Sequence, residues 1–237
     1  MDAMKDRWNG DDLLSAESQS RPRKRDFVYD AIKRSLIMGE YLLGEELVAL
    51  KIATTFGTSR QPVMDALRKL QLDGFVEVVP QVGVRVVRPS PAGTVDYYRI
   101  FGALEGIAAE MAAERRTASG LVILRNAVEL SSRMVEEDPD LPMEEYLSLN
   151  RRVHRAIHFL AQPGDTLNIA RTYWDRSDFL MAVTSKLGPK QWFLSADHEH
   201  HAILDAIANG DGSSARELAT QHLVSIGGFV AEKLAEL

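Results

Sequence analysis

Gly57-Thr58-Ser59-Arg60-Gln61-Pro62-Val63-Met64-Asp65-Ala66-Leu67-Arg68-Lys69-Leu70, followed by Asp73-Gly74-Phe75-Val76, decides the fold of the N-terminal third of the chain. Gly57 breaks one helical pattern and a new one opens almost at once. Thr58 or Ser59 can cap the new helix by accepting a backbone N–H bond. Pro62 falls in its first turn, where a missing N–H costs nothing. Val63, Ala66, Leu67 and Leu70 recur at helical spacing and predict a buried stripe. Gly74 is a natural C-cap. Upstream, Val28, Ala31, Ile32, Ser35 and Leu36 share one face of a helix that ends at Gly39. A second, short helix from about Leu47 to Phe56 turns Leu47, Leu50 and Ala53 inward. Downstream the period changes to two. Phe75-Val76-Glu77-Val78-Val79 and Val84-Arg85-Val86-Val87 read as strands, with Pro80-Gln81-Val82-Gly83 turning between them. Three helices and a two-stranded ribbon in that order predict a winged helix-turn-helix.

The rest of the chain differs. Pro89-Ser90-Pro91 reads as a domain boundary. From Val95 onward the apolar spacing is helical throughout, with breaks at 117–120, 138–142, 162–165, 186–189 and 210–212. That predicts an all-α bundle of about six helices, and a mainly α protein. The division is a mobile tail at 1–22, a winged domain at 23–90 and a helical ligand-binding and dimerisation domain at 91–237. Its 237 residues, 45% of them hydrophobic, suffice for two cores. With no cysteine there is neither a disulfide nor a thiolate metal site. No apolar run approaches the roughly 18 residues of a membrane span, and no signal-peptide core opens the chain. A cytoplasmic protein is expected.

Net charge is −6, which at first argues against nucleic acid. Its distribution reverses that. Residues 23–90 carry +3, the tail −2 and residues 91–237 −7. In a helix-turn-helix the second helix enters the major groove and reads bases with its N-terminal residues. Here these are Ser59, Arg60 and Gln61. Arginine can fork onto guanine, and glutamine can pair with adenine. Lys24, in the basic run Arg21–Arg25, is placed to meet phosphates.

Residues 26–89 resemble the DNA-binding domain of the GntR family of bacterial regulators. The stretch from Gly57 to Leu70, Asp73–Val76 and Pro80–Val86 carry the likeness. The resemblance implies groove contacts from Ser59, Arg60 and Gln61, and a wing tip at Gln81 and Gly83, with Arg85 close by. Met64 replaces the family's usual arginine, Leu43-Gly44-Glu45 its Pro-Gly loop, and Val82 its wing arginine. Residues 95–234 resemble the FCD domain of the FadR-type branch. The markers are Leu104-Glu105, Asn150-Arg151-Arg152-Val153-His154, Glu199-His200-His201-Ala202-Ile203, Ala206–Asp211 and Gln221-His222-Leu223.

Asn150 and His154 share a helix face. His200 and His222 flank the 210–212 turn on neighbouring antiparallel helices. His154 and His158 form a rival pair, which the family pattern ranks lower. His198 and His201 read as ordinary residues. The resemblance therefore implies a divalent ion, Zn²⁺ or Ni²⁺, on Asn150, His154, His200 and His222. Three imidazoles suit such ions. With no carboxylate among the ligands, the ion is expected to keep its full charge and to attract an anionic effector. The branch's effector-binding arginine is Phe101 here, leaving Arg99 as the nearest substitute.

The expected protein is a homodimeric repressor of a metabolic operon. It binds a palindromic double-stranded operator and responds to a small organic acid. A zinc hydrolase is the alternative in another class, but Glu199 faces about 100° from His200 on a helix. An architectural DNA binder would leave some 140 helical residues without a task.

Overall fold

The structure, a computed structural model, describes residues 24–236 except 139–140, 163, 165–166 and 185–190. The proposed tail, Arg21, Arg23 and the break at 186–189 lie outside the described residues, as do the side chains of Lys24 and Arg25.

The winged domain consists of α1 (Lys24–Ile37), α2 (Ala49–Thr55), α3 (Arg60–Leu72), β1 (Val76–Val79) and β2 (Gly83–Val86). The strands pair antiparallel, with Val76 opposite Val86 and Val79 opposite Gly83. Val28, Ile32 and Leu36 of α1 and Val63, Ala66, Leu67 and Leu70 of α3 are buried together. The period-3.6 stripes thus face each other. Gly74 ends α3 at φ +79°, in the left-handed region where a Cβ is disfavoured. The Phe75 N–H then closes onto the Leu70 carbonyl.

One inward residue is corrected. Leu50 is 68% exposed, and Ile52 joins Ala53 in the core. Leu47 precedes the helix rather than starting it. Its N–H bonds to the Val84 carbonyl of the wing, and α2 begins two residues later with a different face inward.

Six helices follow: α4 (Pro91–Arg115), α5 (Ala118–Glu137), α6 (Met143–Ala161), α7 (Leu167–Thr184), α8 (Gln191–Asn209) and α9 (Gly212–Ala235). The first starts earlier than the apolar spacing suggests. Ser90 accepts the Gly93 N–H as its cap and Pro91 occupies its first turn, a favoured place for proline. The boundary residues are therefore also a helix-start signal. The longest packing seam joins α4 to α9, where glycines let the backbones approach. A Cβ on Gly106 would lie 2.8 Å from the Arg216 carbonyl oxygen and 2.2 Å from Thr220 Oγ1. One on Gly227 would lie 2.4 Å from the Cβ of Tyr98.

This seam generates a paired test. Gly106→Ala overpacks a backbone contact and should cost about 1–3 kcal/mol. Gly228→Ala, one residue beyond the seam, meets nothing within 4 Å. It should gain up to about 1 kcal/mol from helix propensity. Urea denaturation of both variants checks the contrast, and equal effects would contradict the seam.

Candidate metal centre and nucleic-acid interface

The centre of the bundle is polar. Asn150 and His154 lie one turn apart on α6, His200 lies on α8 and His222 on α9, and each is at most 2% exposed. The three histidines offer nitrogens that all lie within 4.8 Å of one another. Ring centroids are 5.3 Å apart for His154–His200, 5.4 Å for His154–His222 and 4.7 Å for His200–His222. Helix spacing and the tight 210–212 turn bring the three histidines together, with Asn150 buried one turn before His154 on the same helix. His158 faces another partner.

Two carboxylates hold the outer edges of the rings. His154 Nδ1 lies 3.2 Å from Glu105 Oε2 of α4, and His222 Nδ1 lies 2.6 Å from Glu199 Oε2 of α8. With Nδ1 donating, each Nε2 carries a lone pair directed inward. Glu105 Oε1 also receives the Trp174 Nε1–H at 3.0 Å and meets His158 Nε2 at 2.9 Å. His158 is thereby a partner of the glutamate.

The centre's remaining polar atoms have no protein partner. His154 Nε2, His222 Nε2, both nitrogens of His200 and both amide atoms of Asn150 are buried without a hydrogen bond. Each such atom costs about 1–3 kcal/mol if left unsatisfied. One nitrogen from each histidine lies within 4.8 Å of the other two, an arrangement that fits a bound cation. Imidazole nitrogens and an amide oxygen suit Zn²⁺ or Ni²⁺ better than Mg²⁺ or Ca²⁺. A carboxylate behind a ligating imidazole fixes its tautomer and raises its basicity.

The electrostatics favour the ligating state. Burial holds His154 down to about 4, against the opposing pull of Glu105. Burial, with its neighbouring imidazoles, pushes His200 well below its usual value. Both are neutral at physiological pH. Burial raises the Glu105 carboxyl, but the His158 charge and the bonds from His154 and His158 outweigh it, holding the group at about 2. Glu105 is therefore anionic. This corrects the expectation of an uncompensated ion. Glu105 and Glu199 place two carboxylates against the outer edges of two of these rings, where they would offset the charge of an ion held among the histidines. Leu104-Glu105 was visible as a motif, but nothing in linear spacing aims Glu105 at a histidine 49 residues later.

Other residues singled out from the sequence are placed as follows. Phe101 is buried against Trp174, with ring centroids 4.8 Å apart. Arg99 is exposed and pairs with Asp96 one turn earlier, apart from the buried cluster. His201 meets Ser132 Oγ at 2.8 Å, tying α8 to α5.

At the other end of the molecule, Ser59, Arg60 and Gln61 are exposed at the start of α3. Ser59 occupies the N-cap position but makes no side-chain capping bond, so its hydroxyl is left for another partner. Gln61 Nε2 donates to Asp65 Oδ1 at 2.9 Å. Gln81 is exposed at the wing tip with φ +65°, and Gly83 is exposed beside it. Arg85 is only half-buried, and its backbone bridges that of Glu46. Met64, where an arginine was looked for, packs on the core.

Comparison with known proteins agrees with this architecture. Residues 24–86 match the family described as bacterial regulatory proteins, gntR family, and residues 96–225 match the FCD domain. An uncharacterized HTH-type transcriptional regulator of Streptomyces ambofaciens is 27% identical over 222 residues, covering 89% of this chain and 86% of its own. The HTH-type transcriptional repressor RspR of Escherichia coli K12 is 24% identical over 230 residues, covering 92% of this chain and 95% of its own. Among solved structures, E. coli McbR/YncC shares the fold with a TM-score of 0.70 at 21% identity, over 85% of this chain and 93% of that one. With a winged reading head, a helical bundle and matches over both halves, the chain belongs to the GntR family of transcriptional regulators, in the FadR-type branch that carries an FCD domain.

Proposed function

We propose that this regulator is a ligand-responsive repressor of a metabolic operon, acting in the cytoplasm as a homodimer on a palindromic operator. The observation that carries the ligand-responsive part is the buried cluster of His154, His200 and His222, whose ligand nitrogens lie within 4.8 Å of one another. Asn150, His154, His200 and His222 hold a divalent ion, Zn²⁺ or Ni²⁺. The bound ion supplies a Lewis-acidic position for the oxygen of a small organic acid. Since Glu105 and Glu199 offset the ion's charge, the acid binds by coordination rather than by long-range attraction. Phe101 and Trp174 add an aromatic wall on the α4 side, where an arginine clamp was looked for.

The comparisons favour regulation over the hydrolase reading, because the relatives are transcriptional regulators, RspR by its name a repressor. Glu199, which a hydrolase would need as a base, is committed to His222. Dimerisation is supported by exposed apolar side chains on α4 and α5, including Ile100, Ile107, Val122 and Ile123. No described helix is long and apolar enough to cross a membrane.

Ser59, Arg60 and Gln61 read bases, while Gln81, Gly83, Arg85 and Lys24 position the duplex. Arg60→Ala should remove about 1–3 kcal/mol of discrimination per half-site. The assay compares a duplex selected from a random pool by the full-length protein with an unselected one. An unchanged affinity ratio would overturn the recognition-helix assignment.

The metal reading has a pH signature. His154 and His200 have depressed folded-state values, so their stability contribution is present above the unfolded value near 6.5. It is lost as pH falls from there toward about 4. Protons also compete with the ion. Zinc at 100-fold its Kd should stabilise chelator-treated protein by about 2.7 kcal/mol. That corresponds to roughly 5–11 °C in Tm for a chain of this size. The shift should be full above pH 7, persist at pH 5 and fade as pH nears about 4, where His154 takes up its proton. Asn150→Asp, which adds a charged ligand oxygen, should enlarge it. Melting curves across this range, with Zn²⁺ or Ni²⁺, decide the matter; no shift with either ion at pH 7.5 rejects the centre.

A further inference from the structure

Consecutive residues of α7 touch both functional ends of the molecule. On one face, the Trp174 ring lies tilted against His154, with centroids 4.2 Å apart, and its indole N–H bonds Glu105, the carboxylate that orients His154. On another face, Asp175 accepts from Lys33 Nζ of α1 at 2.7 Å, an ion pair that crosses between the two domains. The next residue, Arg176, lies against the end of the recognition helix. Its Nη1 would stand 3.1 Å from a Cβ on Gly74. One turn on, Phe179 meets Phe75 edge-on at 5.7 Å, just where α3 gives way to the wing.

A second route joins the same points. Arg151 follows Asn150 directly in α6. Its Nη2 bonds Asp175 Oδ1 at 3.0 Å and Asp178 Oδ2 at 2.5 Å. Its guanidinium carbon lies 5.5 Å from the centre of the Trp174 ring. The side chains of Arg151, Asp175 and Asp178 are only 10–15% exposed, so solvent screens them less than surface charges. An α-helix is stiff along its axis. Whatever positions Trp174 therefore positions Asp175 and Arg176.

We infer that α7, through Trp174 and Asp175, is the element by which occupancy of the histidine centre sets the placement of the winged domain. The inference rests on the reading that the centre binds a divalent ion. Coordination at Nε2 would fix the His154 ring, against which Trp174 packs. It also strengthens the Nδ1–H bond to Glu105, whose other oxygen holds the indole. Without the ion the His154 ring loses its inner anchor, and Trp174 loses a fixed partner. The consequence passes to α1 through Lys33–Asp175 and to the end of α3 through Arg176 and Phe179. Trp174 and Asp175 are positioning residues: neither touches DNA nor offers the ion a ligand.

The test is hydrogen exchange by mass spectrometry on the full chain, with and without Zn²⁺, for wild type, Trp174→Phe and Asp175→Asn. In the wild type, zinc should slow exchange in α1 and in residues 70–76 by about five-fold or more, the lower end of ordinary coupling between sites. In Asp175→Asn, zinc should still raise Tm and protect α6, α8 and α9, while the slowing in the winged domain is lost. Trp174→Phe, which also removes the indole bond to Glu105, should likewise lose the slowing in the winged domain, and Asp175→Asn carries the test of unchanged zinc binding alone. Slowing of the winged domain that survives in Asp175→Asn overturns the inference. So does a wild type that binds zinc with no change in α1 or residues 70–76. A wild type whose Tm does not respond to zinc or nickel instead removes the metal reading, and the inference with it.

Discussion

Two glutamates grip the outer edges of two buried imidazoles, and the organisation of the helical domain follows from that arrangement. Glu105 reaches His154 from α4 and Glu199 reaches His222 from α8. Each fixes which nitrogen carries a proton and turns the other toward the bundle centre. Burial suppresses protonation at His154 and His200. The result is an interior in which polar atoms face one another without satisfying one another. A helical bundle keeps such a cost only where something compensates it, and a divalent cation is what this donor set accommodates.

The same glutamate links chemistry to architecture. Glu105 sits in the helix that follows the winged domain and that forms the long glycine-lined seam with α9. It collects bonds from α6 and from Trp174 of α7. Three helices, α4, α6 and α7, thus meet at one carboxylate, and α7 also carries the contacts to α1 and to the end of α3. On the reading proposed above, ligand state must reach the reading head. Here a short path of buried aromatic and charged side chains is already in place between them.

Much of this was legible in the sequence, for identifiable reasons. The winged domain follows from changes of period, from Pro62 in a first turn and from Gly74 at a helix end. The six helices of the bundle follow from apolar spacing between polar breaks. The three clustered histidines follow from two helices meeting at a tight turn and from the family pattern, which selects His154 over the rival pair with His158. Leu50 was misassigned because a backbone bond from Leu47 to the wing delays α2, a tertiary effect with no local signal. The α4 start was late because apolar spacing begins at Val95, although Ser90 and Pro91 carry the cap and first-turn chemistry. Glu105 and Glu199 were missed as orienting groups because helix spacing places only neighbours on the same helix. Glu199 faces away from His200, and that same direction is what aims it at His222.

The central claim is that the three histidines meet on one metal ion. X-ray absorption at the zinc edge of the zinc-loaded full-length protein tests it most directly. The account predicts nitrogen and oxygen ligands at about 2.0–2.1 Å, with scattering from three imidazole rings. Replacing His200 with alanine should remove one ring from that count. A spectrum with one imidazole or none, or one indifferent to His200→Ala, would contradict it.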